Sequence, residues 1–216
     1  MYNNLLSPRY DMDTMLAIKG KDFVLLSANI GTGKGLLMLD QDKSKIERIS
    51  DYSMIAAAGE GGDPHRFVNS IAKHSELHRV QHNGLDMPVN SIAHFAGKQI
   101  CANVMENLNY KVSALIAGWG PLMGPQLYQI DEFGGLRSVP YSGQGVGMAL
   151  FNSIFQKYNS PDIDEPTAYK VLKQCVAAAH ERLAVNMRHF EVFVVKENGI
   201  TKLNTIDADS LKTAPN

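Results

Sequence analysis

Thr14-Met15-Leu16-Ala17-Ile18-Lys19-Gly20-Lys21-Asp22-Phe23-Val24-Leu25-Leu26-Ser27-Ala28-Asn29 is the stretch that decides the fold. Two apolar runs, Met15–Lys19 and Phe23–Ala28, flank a short polar connection that contains Gly20. That arrangement predicts a β-hairpin. The runs are continuous in apolar residues rather than alternating, so the sheet they begin should be covered on both faces. Leu36–Leu39, Ile46–Ile49 and Met54–Ala58 continue the pattern, each bounded by Gly, Asp or Lys.

Beyond residue 63 the period changes. From Pro64 to Val80, Phe67, Ile71, His74/Ser75 and His78 recur three or four apart, which predicts a helix with Pro64 in its first turn and Asp63 as N-cap. Asn83-Gly84 ends it. Pro88 opens a second helix, whose stripe is Val89, Ile92, Ala96, Ile100, Val104 and Leu108. Strands return at Lys111–Ala117 and Pro125–Asp131, with Gly118-Trp119-Gly120-Pro121 read as a loop and Gly134-Gly135 as a turn. A third helix is expected from about Gly145 to Tyr158 and a fourth from Glu165 to Arg182. The final strands, Glu191–Lys196 and Ile200–Thr205, are joined through Asn198-Gly199, a strong hairpin signal. The order is strands, two helices, strands, two helices, strands. Two sheets facing each other with helix pairs outside bury every apolar face, which predicts an α+β, four-layer αββα sandwich.

The 216 residues are 44% apolar and 20% charged, and 21 Lys+Arg against 22 Asp+Glu leave a formal charge of −1. A single body of this length buries roughly 70% of its extended-chain surface, enough for a core without staples. Two cysteines, Cys101 and Cys175, make no disulfide framework and point to a reducing compartment. The balanced charge gives no footprint for nucleic acid or an anionic membrane, and no run approaches the ~18 apolar residues of a span. Met1–Asp13 carries Arg9, Asp11 and Asp13 and lacks the apolar centre of a signal peptide. The expected organisation is an N-terminal extension (1–13), one domain (14–207) and a polar tail (208–216).

Local motifs are weak. Gly31-Thr32-Gly33-Lys34-Gly35 suggests a phosphate loop, but Ala28 and Gly35 stand where such a loop needs its first glycine and its Ser/Thr. Gly59-Glu60-Gly61-Gly62-Asp63 between a strand and a helix offers backbone N–H groups to an anion or a peptide carbonyl, or simply turns the chain sharply. His74, His78 and His82 are four apart and can share a helical face, as metal ligands or as a solvated or interface stripe. No His-Glu-x-x-His accompanies them, and no metal or cofactor is expected. Cys101 and Cys175 fall in helical apolar patterns as small hydrophobes. No Ser-His-Asp set can be picked out by spacing.

Taken in order, several pieces together resemble the proteasome beta-type subunits. They are Thr14–Lys19 followed by Phe23–Asn29, Gly35, Asp42-Lys43-Ser44-Lys45-Ile46, and Ala57-Ala58-Gly59-Glu60-Gly61-Gly62-Asp63. Leu115–Trp119, Pro125–Asp131, Leu172–Val176 and Asn198-Gly199-Ile200 follow. The resemblance spans about Thr14 to Asp207. It implies the N-terminal-nucleophile hydrolase fold, an αββα sandwich, in agreement with the architecture read from periodicity. It also implies a cylinder of twenty-eight subunits, two beta rings between two alpha rings. This chain's partners would be beta subunits of its own and the opposite ring and alpha-ring subunits, in the cytoplasm and nucleus.

Active members of that family free a threonine whose hydroxyl attacks and whose α-amine acts as base. The resemblance puts Asp13 at the nucleophile position, with Met12-Asp13 where a Gly-Thr junction would be cut. The family's strand-end aspartate corresponds to Asn29, its lysine to Lys45, its oxyanion glycine to Gly59, and its nearby serine to Gln144; a further aspartate falls near Leu183–Asn186, where none occurs. This implies a non-catalytic member with Lys45 and Gly59 as vestiges. The alternative is an active threonine protease using Thr14 after autocleavage, which needs the strand to slip by one residue and reverse its faces. For a scaffold role, His74, His78, His82 and Trp119 are the interface candidates.

Overall fold

The computed structural model describes residues 13–34, 37–40, 43–106, 110–158, 160–183, 187 and 189–207. The first group of elements is β1 (Thr14–Lys19), β2 (Phe23–Asn29), β3 (Thr32–Lys34), β4 (Leu37–Asp40), β5 (Ile46–Ser50) and β6 (Ser53–Gly59). Then come α1 (Asp63–Gln81), α2 (Val89–Met105), β7 (Val112–Gly120), β8 (Gly124–Ile130), β9 (Leu136–Ser138) and β10 (Tyr141–Gly145). The chain continues as α3 (Met148–Tyr158), α4 (Glu165–Arg182), β11 (His189–Lys196), β12 (Gly199–Lys202) and β13 (Ile206–Asp207).

One antiparallel sheet has the order β10-β1-β2-β11-β12, with β13 also on β11; the second runs β5-β6-β7-β8-β9. The opening hairpin pairs Met15 with Ala28 and Lys19 with Val24. Every residue of β2 is buried. The reason lies in three separate apolar layers. Leu16, Ile18, Phe23, Leu25 and Val192 face α3 and α4, meeting Phe151, Phe155, Leu172 and Val176. Ile55, Ala57, Ala114 and Ile116 face α1 and α2, meeting Phe67, Ile71, Ile92 and Ala96. Between the sheets lie Met15, Ala17, Val24, Leu26, Ala28, Met54, Ala56, Ala58, Leu115 and Ala117. Alternate residues of one strand therefore enter different layers, and each side is apolar. The expected αββα sandwich is the observed one. Among the described residues no helix is long and apolar enough to cross a membrane.

Several boundaries differ from the sequence reading, each for a local reason. The N-cap of α1 is Gly62, and no side chain caps it; Asp63 is the first helical residue and pairs with Arg66 at 3.3 Å. Its acid complements the helix dipole instead of capping. Trp119 lies in β7 and not in a loop: its N–H donates to the Tyr52 carbonyl at 2.9 Å, and it pairs with Pro125. Gly145 ends a strand instead of starting a helix, because Gly145 and Gly147 hold φ of +89° and +90°, so α3 begins only at Met148. The glycine-rich Thr32–Lys34 stretch forms a strand paired with β4, without the strand-to-helix turn a phosphate loop needs. Gly35 lies outside the described residues, as do the first twelve residues of the expected extension and the whole 208–216 tail. The Asn198-Gly199 turn is as read, pairing Lys196 with Gly199.

Phe151 anchors α3 on the first sheet and is fully buried. Phe151→Ala should cost about 3–5 kcal/mol of unfolding free energy, measured by urea denaturation of the purified chain. A loss under about 1 kcal/mol, the size of a surface change, would show that this layer does not carry the helix pair.

Candidate functional site

The residues singled out around Asp13 converge at one end of the facing sheets. β1 begins at Thr14, opposite Gly145 of β10, and the carbonyl of Asp13 accepts the Val146 N–H at 3.2 Å. A side chain at residue 145 would run into that carbonyl, and the positive φ there also favours glycine. Asp13 is buried, and its Oδ1 lies 3.2 Å from the Lys45 Nζ. Lys45 comes from the segment leading into β5. Its ammonium also donates to the Asn29 carbonyl at 2.8 Å and to the carbonyl of Gly31. Burial pushes the Lys45 amine below its ordinary range, and the Asp13 carboxylate pulls the other way. A buried lysine ringed by one carboxylate and two carbonyls stays satisfied as a cation.

Asn29 ends β2 with its side chain turned to the same place. Its Oδ1 accepts the Thr14 backbone N–H at 2.8 Å. The Thr14 side chain is fully buried, with its hydroxyl 3.1 Å from the Val146 carbonyl and 3.1 Å from the Met187 sulfur. Gly59 closes the other wall. It sits where β6 meets β7, and a Cβ there would strike the Lys111 carbonyl. Gln144 is buried on β10 and donates from Nε2 to the Ile130 carbonyl at 3.2 Å.

Asp13, Gly59, Gln144 and Gly145 line one open cleft of about 240 Å³ with Ala58, Glu60, Lys111, Ser113, Asp131, Glu132 and Met148. The sequence reading missed Glu60, Lys111, Asp131, Glu132 and Met148 as parts of it. Glu60 and Lys111 pair across the rim at 3.2 Å. Asp131 Oδ1 accepts the N–H groups of Phe133 and Gly135 at 3.0 and 2.7 Å. Behind the site lies a second buried charge. Glu191 accepts the Ser44 hydroxyl, and Lys202 stands 3.4 Å from its other oxygen. The sequence signal was a glutamate set between Phe190 and Val192 in an apolar strand.

The histidines lie elsewhere and do not form one free stripe. His74 stacks on Phe95 of α2 with ring centroids 3.7 Å apart. His82 is one residue past α1, yet stacks on His78 at 4.0 Å. Among the described residues no three His, Cys, Asp or Glu side chains are gathered as a metal would require. Trp119 packs at a tilt on Tyr52, at 6.4 Å.

The sequence profile described as "Proteasome subunit" matches residues 12–195, and the chain belongs to that family. It is similar to the probable proteasome subunit beta type-4 of Schizosaccharomyces pombe, 29% identical over 89% of this chain and all of the relative. It is 24% identical to the proteasome subunit beta type-4 of Saccharomyces cerevisiae, over 91% of this chain and again all of the relative. A proteasome subunit beta type-2 from Oryza sativa is also 24% identical, over 87% of this chain and 88% of its own length. The chain is thus a beta-type-4-like subunit.

Lys45→Ala strips the buried Asp13 carboxylate of its lysine and should cost about 3–5 kcal/mol. The double change Asp13→Ala/Lys45→Met should recover most of that loss in urea denaturation, because it removes both charges of the pair together. Thiol labelling gives an independent check. Cys101 is exposed, whereas burial pushes the Cys175 thiol up to about 12. The folded chain should take up one alkyl group at pH 8 by mass spectrometry, and two only after denaturation.

Proposed function

We propose that this chain is a non-catalytic structural beta subunit of the 20S proteasome core. It would build the beta ring and the wall of the proteolytic chamber and position neighbouring active subunits for ubiquitin-dependent protein degradation. The observation that carries this reading is the buried Asp13–Lys45 pair, at the place where the family resemblance puts the nucleophile. A carboxylate held by a lysine offers no hydroxyl for acyl transfer. The Thr14 nitrogen donates to Asn29 as a backbone N–H, and an amide is no base at neutral pH. Gly59 retains a backbone position at the cleft, but a donor without nucleophile and base carries no reaction.

The other reading is an active protease that uses Thr14 after autocleavage. Against it stands the complete burial of Thr14, whose strand register already pairs Met15 with Ala28 and Gln144. Sliding that strand by one residue would turn its sheet-facing side chains toward the helices.

A scaffold needs contact surfaces. The hairpin beyond Trp119 exposes Leu122 (96%) and Met123 (72%), the end of α1 exposes Val80 (72%) next to His78 and His82 in the chain, and the segment after the helix exposes Leu85 (68%). Exposed apolar groups of this kind mark partner surfaces. The partners would be beta subunits of the same and opposite rings and alpha-ring subunits, in a twenty-eight-subunit particle of cytoplasm and nucleus.

Intact mass and N-terminal sequencing of the purified subunit test the reading. Asp13 should still be joined to Thr14, and a threonine-directed electrophile should leave the chain unlabelled. A chain beginning at Thr14 and carrying the electrophile would overturn it. Native mass spectrometry should find the chain only in a particle many times its own 23.8 kDa.

A further inference from the structure

A second cleft, remote from the first, lies between α1 and the β5–β6 turn. It holds about 240 Å³, and its lining includes Arg48, Asp51, Ser75, Glu76, Arg79 and Asp86. β6 leaves that turn and reaches Gly59 at its far end, seven residues and roughly 20 Å away. Most charges in the second cleft are already answered. Arg48 pairs with Asp51, and Arg79 pairs with Glu76 at 3.3 Å. Asp86, in the segment between α1 and α2, makes no ion pair or hydrogen bond with any described residue. Three carboxylates against two guanidiniums leave one negative charge in excess, and it sits on Asp86. Ser75 supplies a second observation, independent of the acids. It lies on the buried side of α1, is 4% exposed, and keeps that remaining surface in the cleft it lines. Its hydroxyl makes no hydrogen bond with a described residue, not even to the carbonyl one turn back that a helical serine commonly uses. A hydroxyl so deeply set, neither bonded nor sealed from solvent, opens on the cleft and calls for a partner there.

We infer that this cleft seats a lysine ammonium presented by a neighbouring subunit of the assembly. An ammonium is a compact charge with three donors, which can reach a carboxylate and a hydroxyl at different heights. A flat guanidinium seeks a carboxylate in its own plane and would leave Ser75 unmatched. Leu77, Val80 and Leu85, next in the chain to Glu76, Arg79 and Asp86, are exposed apolar side chains of the kind along which a lysine stem packs. The inference rests on the scaffold reading, because only a neighbouring chain supplies the lysine.

The test uses the intact particle in which the chain purifies. A carbodiimide joins carboxylates to amines in direct contact and does not join them to guanidiniums, so the two arginine pairs do not register. Coupling in the presence of glycinamide, followed by peptide mass spectrometry, should find Asp86 joined to a lysine whose peptide does not occur in this chain. Asp86→Asn, a change at a half-exposed residue outside helix and strand, leaves the fold intact. It should abolish that cross-link and raise the fraction of chain released at a given salt concentration about two- to fivefold, as for one partly solvated ion pair. Ser75→Ala, which removes only the hydroxyl, should act in the same direction. Asp86 capped by glycinamide alone, Asp86 joined only to a lysine of its own chain, or unchanged release in Asp86→Asn would overturn the inference. If native mass spectrometry finds no particle, the scaffold reading fails and takes this inference with it. If the particle is present and Asp86 is joined to no other chain, this inference fails alone.

Discussion

The face-to-face apposition of the two sheets is the constraint on which everything else depends. Ala17 and Ala28 on one sheet and Ala56, Ala58 and Ala117 on the other keep the layer between them thin, with Met15, Met54, Leu26 and Leu115 filling the gaps. Small residues allow close approach, and methionine adapts to the irregular spaces left over. Because the inner faces are consumed this way, the outer faces must be covered by helices, and two helix pairs do so. The site follows from this geometry. Strand ends from both sheets, Asn29 and Thr14 on one and Gly59 on the other, meet at one edge of the sandwich.

At that edge the dominant physical fact is buried charge. Taking Asp13 and Lys45 out of water is costly, and their pairing offsets it only because Lys45 also finds two carbonyls. Glu191, 3% exposed, repeats the solution with Ser44 and Lys202. A lysine kept beside a carboxylate rather than a hydroxyl is a structural element of the cleft floor. The same charge arithmetic leaves the opposite wall acidic.

Much of the architecture was legible in the chain because the signals were periodic. The stripe at Val89, Ile92, Ala96 and Ile100 is the face α2 buries, and Glu165–Arg182 is helical over the range read from its spacing. Short strands were harder. β9 has three residues with little burial, and β10, Tyr141-Ser142-Gly143-Gln144-Gly145, is polar and glycine-rich, so neither alternates in hydrophobicity. Their strand conformation comes from pairing with β8 and β1, a long-range event with no local signature. The extension of β7 through Trp119 has the same origin, since Tyr52 and Pro125 hold it from either side.

The sequence by itself determined the layered architecture, because short continuous apolar runs and stripes of period 3.6 leave few ways to hide their faces. Through resemblance it also marked Asp13, Asn29, Lys45, Gly59 and Gln144 as residues that belong together. Only the tertiary structure decided what surrounds them: that Asp13 is paired and buried, that Thr14 is sealed against Val146 and Met187, and that Asp131, Glu132 and Met148 share the cleft. Those residues are distant in sequence. What brings their charges and dipoles within reach is sheet packing, which one-dimensional spacing does not encode.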